Sequence, residues 1–160
     1  MKKLAVDLCN TISDINSVLE HLLGPNPNPN DYLHPKVFPG YIENNLWIFE
    51  KAKPLLGALT GVEQLSRNHK IIYLTARPEV SKDVTLKWLK KWGFPDGEVI
   101  FTNNKAKAVV DLDIIGAIDD APHEIERLSK VVQVAVHTQP YNKTFANRFT
   151  WNQKKYPVVG

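Results

Sequence analysis

Carboxylate side chains follow two apolar runs of this sequence. Asp7 ends the run that begins at Leu4, and Asp119 and Asp120 follow the apolar residues 114–118. Carboxylate oxygens are ligands that Mg²⁺ prefers in proteins. Carboxylates that face one another repel strongly unless a cation lies between them. If the two runs end at the same edge of the fold, the three aspartates predict a magnesium site.

A hydroxyl group and a lysine complete this set. Thr75 follows the apolar run 71–74, and Lys105 and Lys107 precede the run 114–118. A hydroxyl donor and a cation are groups that would surround a phosphoryl group. Taken alone, each of these residues has an ordinary explanation, since Asp and Thr often cap helices or form turns. Together they indicate a bound metal ion and a phosphorylated substrate.

The apolar runs alternate with segments of helical periodicity, which predicts alternating strands and helices. This order favours an α/β fold with an open parallel sheet and helices on both faces. Ligands of such sheets bind outside the carboxyl ends of the strands, where the polar residues above would meet. Strands are predicted at 4–8, 71–74, 99–101, 114–118 and 131–136, and helices at 11–23, about 40–50, about 54–68, 81–92 and 123–128.

The composition is that of one ordinary domain. The chain has 160 residues, of which 43% are hydrophobic and 23% are charged, and its formal net charge is +3. So small a charge does not favour nucleic acid as the main partner. A single cysteine excludes an internal disulfide and a multi-cysteine zinc site, and the first apolar run is too short for a signal sequence or a membrane span. We therefore expect one domain over 1–160, soluble and cytoplasmic, with no membrane partner.

Four short motifs occur in a fixed order: Asp7-Leu8-Cys9-Asn10-Thr11, then Leu74-Thr75-Ala76-Arg77-Pro78, then a lysine, then Ile118-Asp119-Asp120. In this order they resemble the four motifs of the haloacid dehalogenase superfamily. The segments LTARP, TLKWLKKWGFP and IDDAPHEI resemble more narrowly the cytosolic-type 5'(3')-deoxyribonucleotidases and their bacterial and phage relatives. The resemblance extends from Lys3 to about Tyr141. It implies a three-layer Rossmann-like core with a parallel sheet and a small helical cap inserted after the first strand.

The resemblance also implies a mechanism for hydrolysing (deoxy)nucleoside monophosphates. Asp7 would attack phosphorus and form an aspartyl-phosphate, and Thr75 would hydrogen-bond the phosphoryl oxygens. Lys107, with Lys105 as the alternative, would neutralise charge on Asp7 and the phosphoryl group. The substrate-binding residues that the resemblance implies are Cys9, Thr75, Ala76, Arg77, Lys105 and Trp47.

Mg²⁺ is the cofactor that the resemblance implies. Asp120 and the nucleophile Asp7 would bind the ion. Asp119 would be a further ligand, or would contact the ligands without binding the ion itself. The backbone carbonyl of Cys9 would be the remaining protein ligand. The ion would stabilise developing charge, because phosphoryl transfer depends mostly on positioning and electrostatics.

The sequence departs from the superfamily pattern at Cys9. Phosphatases of the superfamily carry a second aspartate there, which protonates the leaving alcohol and later activates water. A thiol is only a weak hydrogen-bond donor, and Cys9 could also be a simple small buried residue. Three interpretations stay open: a slow phosphatase, an enzyme that needs less help for its leaving group, and a protein that binds a phosphorylated ligand or nucleotide without turnover. Carbon–phosphorus cleavage and polynucleotide end-phosphatase activity have less support from the sequence.

The segment of approximately 14–52 would form the cap. It contains several aromatic residues, which either stack on a nucleobase or pack within the cap itself: Tyr32, Phe38, Tyr41, Trp47 and Phe49. The expected partner is a small phosphorylated substrate, a nucleotide, and a homodimer is compatible with the same sequence.

Overall fold

The computed structural model describes residues 1–153 and 156. Its strands are β1 (Lys2–Val6), β2 (His69–Thr75), β3 (Glu98–Phe101), β4 (Ile114–Asp119), β5 (Gln133–His137) and β6 (Arg148–Phe149). They form a six-stranded sheet in the order β3-β2-β1-β4-β5-β6, and every neighbouring pair is parallel. The predicted α/β fold with a parallel sheet is confirmed.

Both faces of the sheet are covered, so its central strands are nearly continuous apolar runs. Successive side chains of a strand point to opposite faces, and the core follows this alternation. Leu4 and Val6 of β1 pack in one buried cluster, whereas Ala5 packs in another. In β2, Tyr73 belongs to the first cluster and Leu74 to the second.

In the part of the chain that the structure describes, six α-helices cover these faces or lie in the segment between β1 and β2. They are α1 (Ile15–Leu23), α2 (Trp47–Lys51), α3 (Ala58–Ser66), α4 (Lys82–Trp92), α5 (Lys105–Asp111) and α6 (Pro122–Leu128). Helices α3 and α4 contribute Val62 and Trp88 to the first cluster. Helices α5 and α6 contribute Val109 and Ile125 to the second. Within the described residues, no helix has the length and apolar composition that crossing a membrane requires.

The helices predicted between β1 and β2 are too long. The segment predicted as helix over about 40–50 is helical only from Trp47, because asparagine side chains compete with the backbone there. Asn44 and Asn45 donate from their side-chain amides to the carbonyls of Gly40 and Tyr41, at 2.9 and 2.7 Å. Turns therefore replace the first half of the predicted helix.

Two other predicted helix starts are also wrong. Helix α1 begins at Ile15 rather than at residue 11, because Asp14 caps it by accepting the backbone N–H of Ser17 at 3.2 Å. Helix α3 begins after Gly57, whose φ of +81° is a left-handed conformation that favours glycine. The role of 14–52 as a cap stays a prediction.

The register of the sheet brings the strand ends together. Val6 is paired with Tyr73 of β2 and with Ile118 of β4. The backbone N–H of Asp7 donates to the Ile118 carbonyl at 2.9 Å. Asp7, directly after β1, and Asp119, the last residue of β4, therefore lie side by side at the carboxyl edge of the sheet.

The loop after β1 is fixed by long-range hydrogen bonds. Asn10 has a φ of +59°, and its carbonyl accepts from His137 Nδ1 at 3.1 Å and from Gln139 Nε2 at 3.0 Å. The indole N–H of Trp151 donates to the Thr11 carbonyl at 2.6 Å. These contacts hold the loop in one conformation beside Asp7.

His137 makes stability depend on pH. Burial disfavours its imidazolium and lowers its pKa from 6.5 to about 4. Between pH 6.5 and pH 4 the histidine of the unfolded chain binds a proton that the buried histidine of the folded chain does not. Stability therefore falls as the pH falls through this range. We expect a loss of about 3 kcal/mol between pH 7 and pH 4 from this residue.

Urea unfolding at both pH values, for the wild type and His137→Gln, measures this loss. Glutamine keeps a donor for the Asn10 carbonyl but has no proton to gain. An equal pH dependence in the two proteins would contradict the assignment.

Candidate active site

Lys105 lies among three carboxylates at the carboxyl edge of the sheet. Its Nζ is 2.8 Å from Asp7 Oδ1, 2.7 Å from Asp119 Oδ2 and 3.8 Å from Glu124 Oε2. Burial disfavours the charged amine, but the attraction of Asp119 and Asp7 and their hydrogen bonds raise its pKa above the ordinary value. Lys105 is therefore a fixed cation that joins the ends of β1 and β4.

The prediction that placed Lys107 in the site is wrong. Its amine pairs with Asp111 one helical turn further on, and its side chain is 69% exposed. Residues two apart on an α-helix differ in direction by about 200°, so Lys105 and Lys107 cannot face the same site. The structure places Lys105 there, and its catalytic role stays a prediction.

Thr11 links two of the carboxylates. Its Oγ1 is 3.0 Å from Asp7 Oδ2 and 2.9 Å from Asp120 Oδ1. A hydroxyl carries one hydrogen, so it donates to one of these oxygens at a time. The hydroxyl of Tyr141 donates to the other oxygen of Asp120. When Thr11 donates to one carboxylate, its oxygen still lies close to an oxygen of the other carboxylate, with no hydrogen between the two atoms. Such a contact is stabilised by a proton or a cation.

The aspartate cluster carries more negative charge than its surroundings balance. One oxygen from each of Asp7, Asp119 and Asp120 lies within 4.8 Å of the others. Burial and the charge of Asp7 raise the pKa of Asp119 to about 7, although Lys105 pulls it down. Burial, followed by the charges of Asp7 and Asp119, raises the pKa of Asp120 well above its ordinary value. A divalent cation would relieve this repulsion.

These residues fit Mg²⁺, because the cluster offers hard oxygen donors on a rigid frame. Asp7 and Asp120 are the residues that would hold the ion. Asp119 is otherwise engaged, since its Oδ1 accepts the backbone N–H groups of Asp120 and Ala121 at 2.8 and 3.1 Å and its Oδ2 accepts from Lys105. The predicted metal role of the Cys9 carbonyl stays a prediction. Bound there, Mg²⁺ would supply positive charge next to the phosphoryl group.

Thermal unfolding tests the metal site without any substrate. We expect MgCl₂ to raise the Tm of the wild type, because an ion that binds only the folded state adds about 2.7 kcal/mol at 100 times its Kd. Asp120→Asn should lose this response and, with less repulsion, melt no lower than the ion-free wild type. Asp111→Asn, which changes an exposed carboxylate, is the matched control. A full magnesium response in Asp120→Asn would rule out this site.

Thr75 and Ala76 lie at the end of β2, as predicted, and line the same cavity as Asp7. Thr75 is buried, and its Oγ1 accepts the backbone N–H of Arg77 at 3.1 Å. Because Oγ1 accepts that bond, its own hydrogen is still available for a ligand. The geometry suits the predicted phosphoryl contact, which stays a prediction.

Arg77 is buried beside Cys9. Its Nε donates to Cys9 Sγ at 3.2 Å and its Nη1 to Thr85 Oγ1 at 3.0 Å. Its guanidinium carbon lies 4.0 Å from the centre of the Phe49 ring. Loss of water around the thiol raises the pKa of Cys9, although Arg77 acts in the opposite direction. The thiol therefore serves as a neutral acceptor for Arg77.

The cavity above Asp7 has a volume of about 250 Å³. Asp7, Thr75 and Lys105 lie on its polar side, and the segment between β1 and β2 supplies apolar residues to its other side: Ile15, Leu19, Leu33, Val37, Ile42 and Phe49. Tyr32 also lines it and packs edge-on against His123 and Tyr141, each at 5.1 Å between ring centres. The inserted segment thus contacts the core next to Asp120.

Trp47 does not line this cavity, so its predicted place in the substrate site is wrong. It borders a separate groove with Val18, Leu22 and Lys51. The helix that carries it is shorter than predicted and buries Ile48 and Phe49 instead. Of the five aromatic residues singled out in the sequence, Tyr32 and Phe49 line the cavity, whereas Phe38 and Tyr41 pack against each other at 5.2 Å.

Sequence reasoning missed three residues of the site. Thr11 stands four residues after Asp7 and could have been noticed as a second hydroxyl in that motif. Glu124 lies in the first turn of α6, and its contact with Lys105 depends on helix packing. Tyr141 follows β5 at the same edge of the sheet, but no local pattern distinguishes it from other loop tyrosines.

Solved structures of haloacid dehalogenase-like proteins share this architecture. A haloacid dehalogenase-like hydrolase from Streptococcus pneumoniae superposes with a TM-score of 0.57 at 14% identity, over 86% of this chain and 85% of that one. An L-2-haloacid dehalogenase gives a TM-score of 0.58 at 11% identity, over 96% and 92% of the two chains. At these identities the likeness shows the fold, which is the haloacid dehalogenase-like fold.

Within that fold, the sequence defines a family. The family model described as PITM 1-3, LNS2 domain, matches residues 51–136, which is more than half of the chain, and the chain belongs to this family. The matched range includes Thr75, Lys105, Asp119 and Asp120, whereas Asp7 lies outside it.

A curated relative bears on the activity. A candidate nucleotidase of Oceanobacillus iheyensis is 33% identical over 106 residues, which is 60% of this chain and 56% of the relative. The chain thus spans about half the length of the curated relative that it matches. The narrower resemblance to cytosolic-type 5'(3')-deoxyribonucleotidases stays a prediction.

Proposed function

We propose that this chain is a Mg²⁺-dependent phosphatase that hydrolyses phosphate monoesters through an aspartyl-phosphate on Asp7. The observation that carries the proposal is the position of Asp7. Its carboxylate lies in the cavity at the carboxyl edge, bonded to Lys105 and Thr11, with Thr75 on the same polar side. A carboxylate held by a buried cation is oriented for nucleophilic attack.

The reaction has two steps. An Asp7 oxygen attacks phosphorus, the bond from phosphorus to the leaving oxygen breaks, and its electron pair stays on that oxygen, which is protonated by water. A second water then attacks the aspartyl-phosphate, which releases inorganic phosphate and restores the Asp7 carboxylate. The Thr75 hydroxyl and the Lys105 amine would stabilise charge on the phosphoryl oxygens.

Nucleoside monophosphates are the substrates to test first. The relative from Oceanobacillus iheyensis is named as a candidate nucleotidase, and the apolar side of the cavity suits a base or sugar. A cavity of about 250 Å³ lies at or below the usual size range of small-molecule sites, which favours a small phosphorylated molecule over a nucleic acid. We place the reaction in the cytoplasm, where such nucleotides occur.

A protein that binds a phosphorylated ligand without turnover is the second candidate. Cys9 favours it, because a weakly donating thiol stands where the superfamily's general acid would be. The polar side of the cavity would then bind the ligand, and Asp7 would not react.

Phosphate release from nucleoside 5'- and 3'-monophosphates, measured with Mg²⁺ and with a chelator, tests the proposal. The wild type should release phosphate only with Mg²⁺, and Asp7→Asn should not. If the wild type is inactive and only Cys9→Asp turns over, the binding function replaces the catalytic one.

A further inference from the structure

Arg77 is a buried cation without a matching anion. It is 5% exposed, and among the residues that the structure describes no carboxylate lies within ion-pair distance of it. Its Nε and Nη1 are used by Cys9 and Thr85, but its Nη2 is buried and has no hydrogen-bond partner. A buried charged donor left unsatisfied is costly, so this nitrogen is a candidate contact for a bound ligand.

The guanidinium lies where the two sides of the cavity meet. It contacts Cys9, in the loop after the Asp7 strand, and stacks on Phe49 of the apolar side. A substrate with its phosphoryl group at Asp7 and its organic part against the apolar residues places the bridging oxygen between these two sides. Arg77 and Lys105 are both buried cations that line this cavity. The Lys105 amine already bonds Asp7 and Asp119, whereas Arg77 still has an unpartnered nitrogen, Nη2.

We propose that Arg77 Nη2 donates a hydrogen bond to the leaving oxygen and stabilises it as an anion, so that the reaction proceeds without a general acid. This inference rests on the proposed phosphatase function. When the bond from phosphorus to this oxygen breaks, the electron pair stays on the oxygen, Arg77 binds the resulting anion, and water supplies the proton afterwards. A guanidinium stays protonated in proteins, so it stabilises the charge without transferring its proton.

This arrangement selects a class of substrate. Without a proton donor, the rate depends on how stable the leaving group is as an anion. Phosphate esters of phenols, enols and other acidic hydroxyls should therefore react faster than esters of simple alcohols, and nucleoside monophosphates would be slow members of the substrate range.

Two esters of similar size separate leaving-group stabilisation from phosphoryl binding. 4-Nitrophenyl phosphate has an acidic leaving group, and 2-phenylethyl phosphate has an alcohol. In Arg77→Met we expect kcat/KM for 2-phenylethyl phosphate to fall by about 10²- to 10³-fold, as when one oxyanion-hole donor is removed. The loss for 4-nitrophenyl phosphate should be at least about tenfold smaller, because a stable anion needs less help.

The controls distinguish the ways in which the inference could fail. Lys107→Met removes one exposed cation and should leave both rates unchanged, and Arg77→Lys should recover part of the lost rate if Arg77→Met folds poorly. Equal losses on both esters would mean that Arg77 binds the phosphoryl group or supports the fold, and would overturn the inference alone. If neither ester shows turnover that depends on Asp7, the proposed function is overturned, and this inference with it.

Discussion

Asp7→Asn is expected to lower phosphate release by about 10³-fold or more, in line with the loss of other enzymatic nucleophiles. An amide is a poor nucleophile for phosphorus and cannot form the aspartyl-phosphate. The substitution is nearly isosteric, and the side-chain oxygen can still accept from Lys105, which lies 2.8 Å from Asp7 Oδ1 in the wild type. The loss would therefore come from chemistry and not from the fold.

Mass spectrometry after rapid acid quenching gives an independent readout of this prediction. The wild type should show a phosphorylated chain in which the phosphoryl group maps to Asp7, and Asp7→Asn should show no phosphorylation. Asp111→Asn, which changes an exposed carboxylate, should behave as the wild type. Turnover by Asp7→Asn within tenfold of the wild type would exclude a covalent mechanism on this residue.

The sheet was predictable because burial on both faces demands short apolar strands. The runs before Asp7, Thr75 and Asp119 are apolar for this reason, and the parallel register then brings their ends to one edge. Strand β6 was missed, since it contributes only Arg148 and Phe149 to the edge of the sheet, and two residues carry no periodic signal.

The site was predictable only where its residues end strands. The choice between Lys105 and Lys107 depends on which side of α5 faces Asp7, and that is set by the N-cap at Asn104 and the packing of Val109. The segment between β1 and β2 was the least predictable part, since its turns are fixed by side-chain hydrogen bonds such as that of Asn45. The place of Trp47 outside the cavity follows from those turns.

Lys105→Met is expected to destabilise the fold by about 3 to 5 kcal/mol, the usual cost of removing one partner of a buried ion pair. The lysine is 4% exposed, and its loss leaves Asp7, Asp119 and Glu124 close together without their cation. The same substitution at Lys107 removes an exposed ion pair with Asp111 and should cost less than about 0.5 kcal/mol. Urea unfolding of the two variants in a chelator measures both values.

A second substitution shows whether charge or packing causes the loss. Asp119→Asn in the Lys105→Met background removes one of the uncompensated carboxylates, so it should recover part of the stability, and the two changes should not be additive. Additive losses would mean that the methionine disturbs packing around α5 instead. Equal unfolding free energies for Lys105→Met and Lys107→Met would remove the electrostatic basis for placing Lys105 at the centre of the site. A large, non-additive loss would establish that the cation holds the nucleophile strand and the Asp119 strand together, the arrangement on which attack by Asp7 depends.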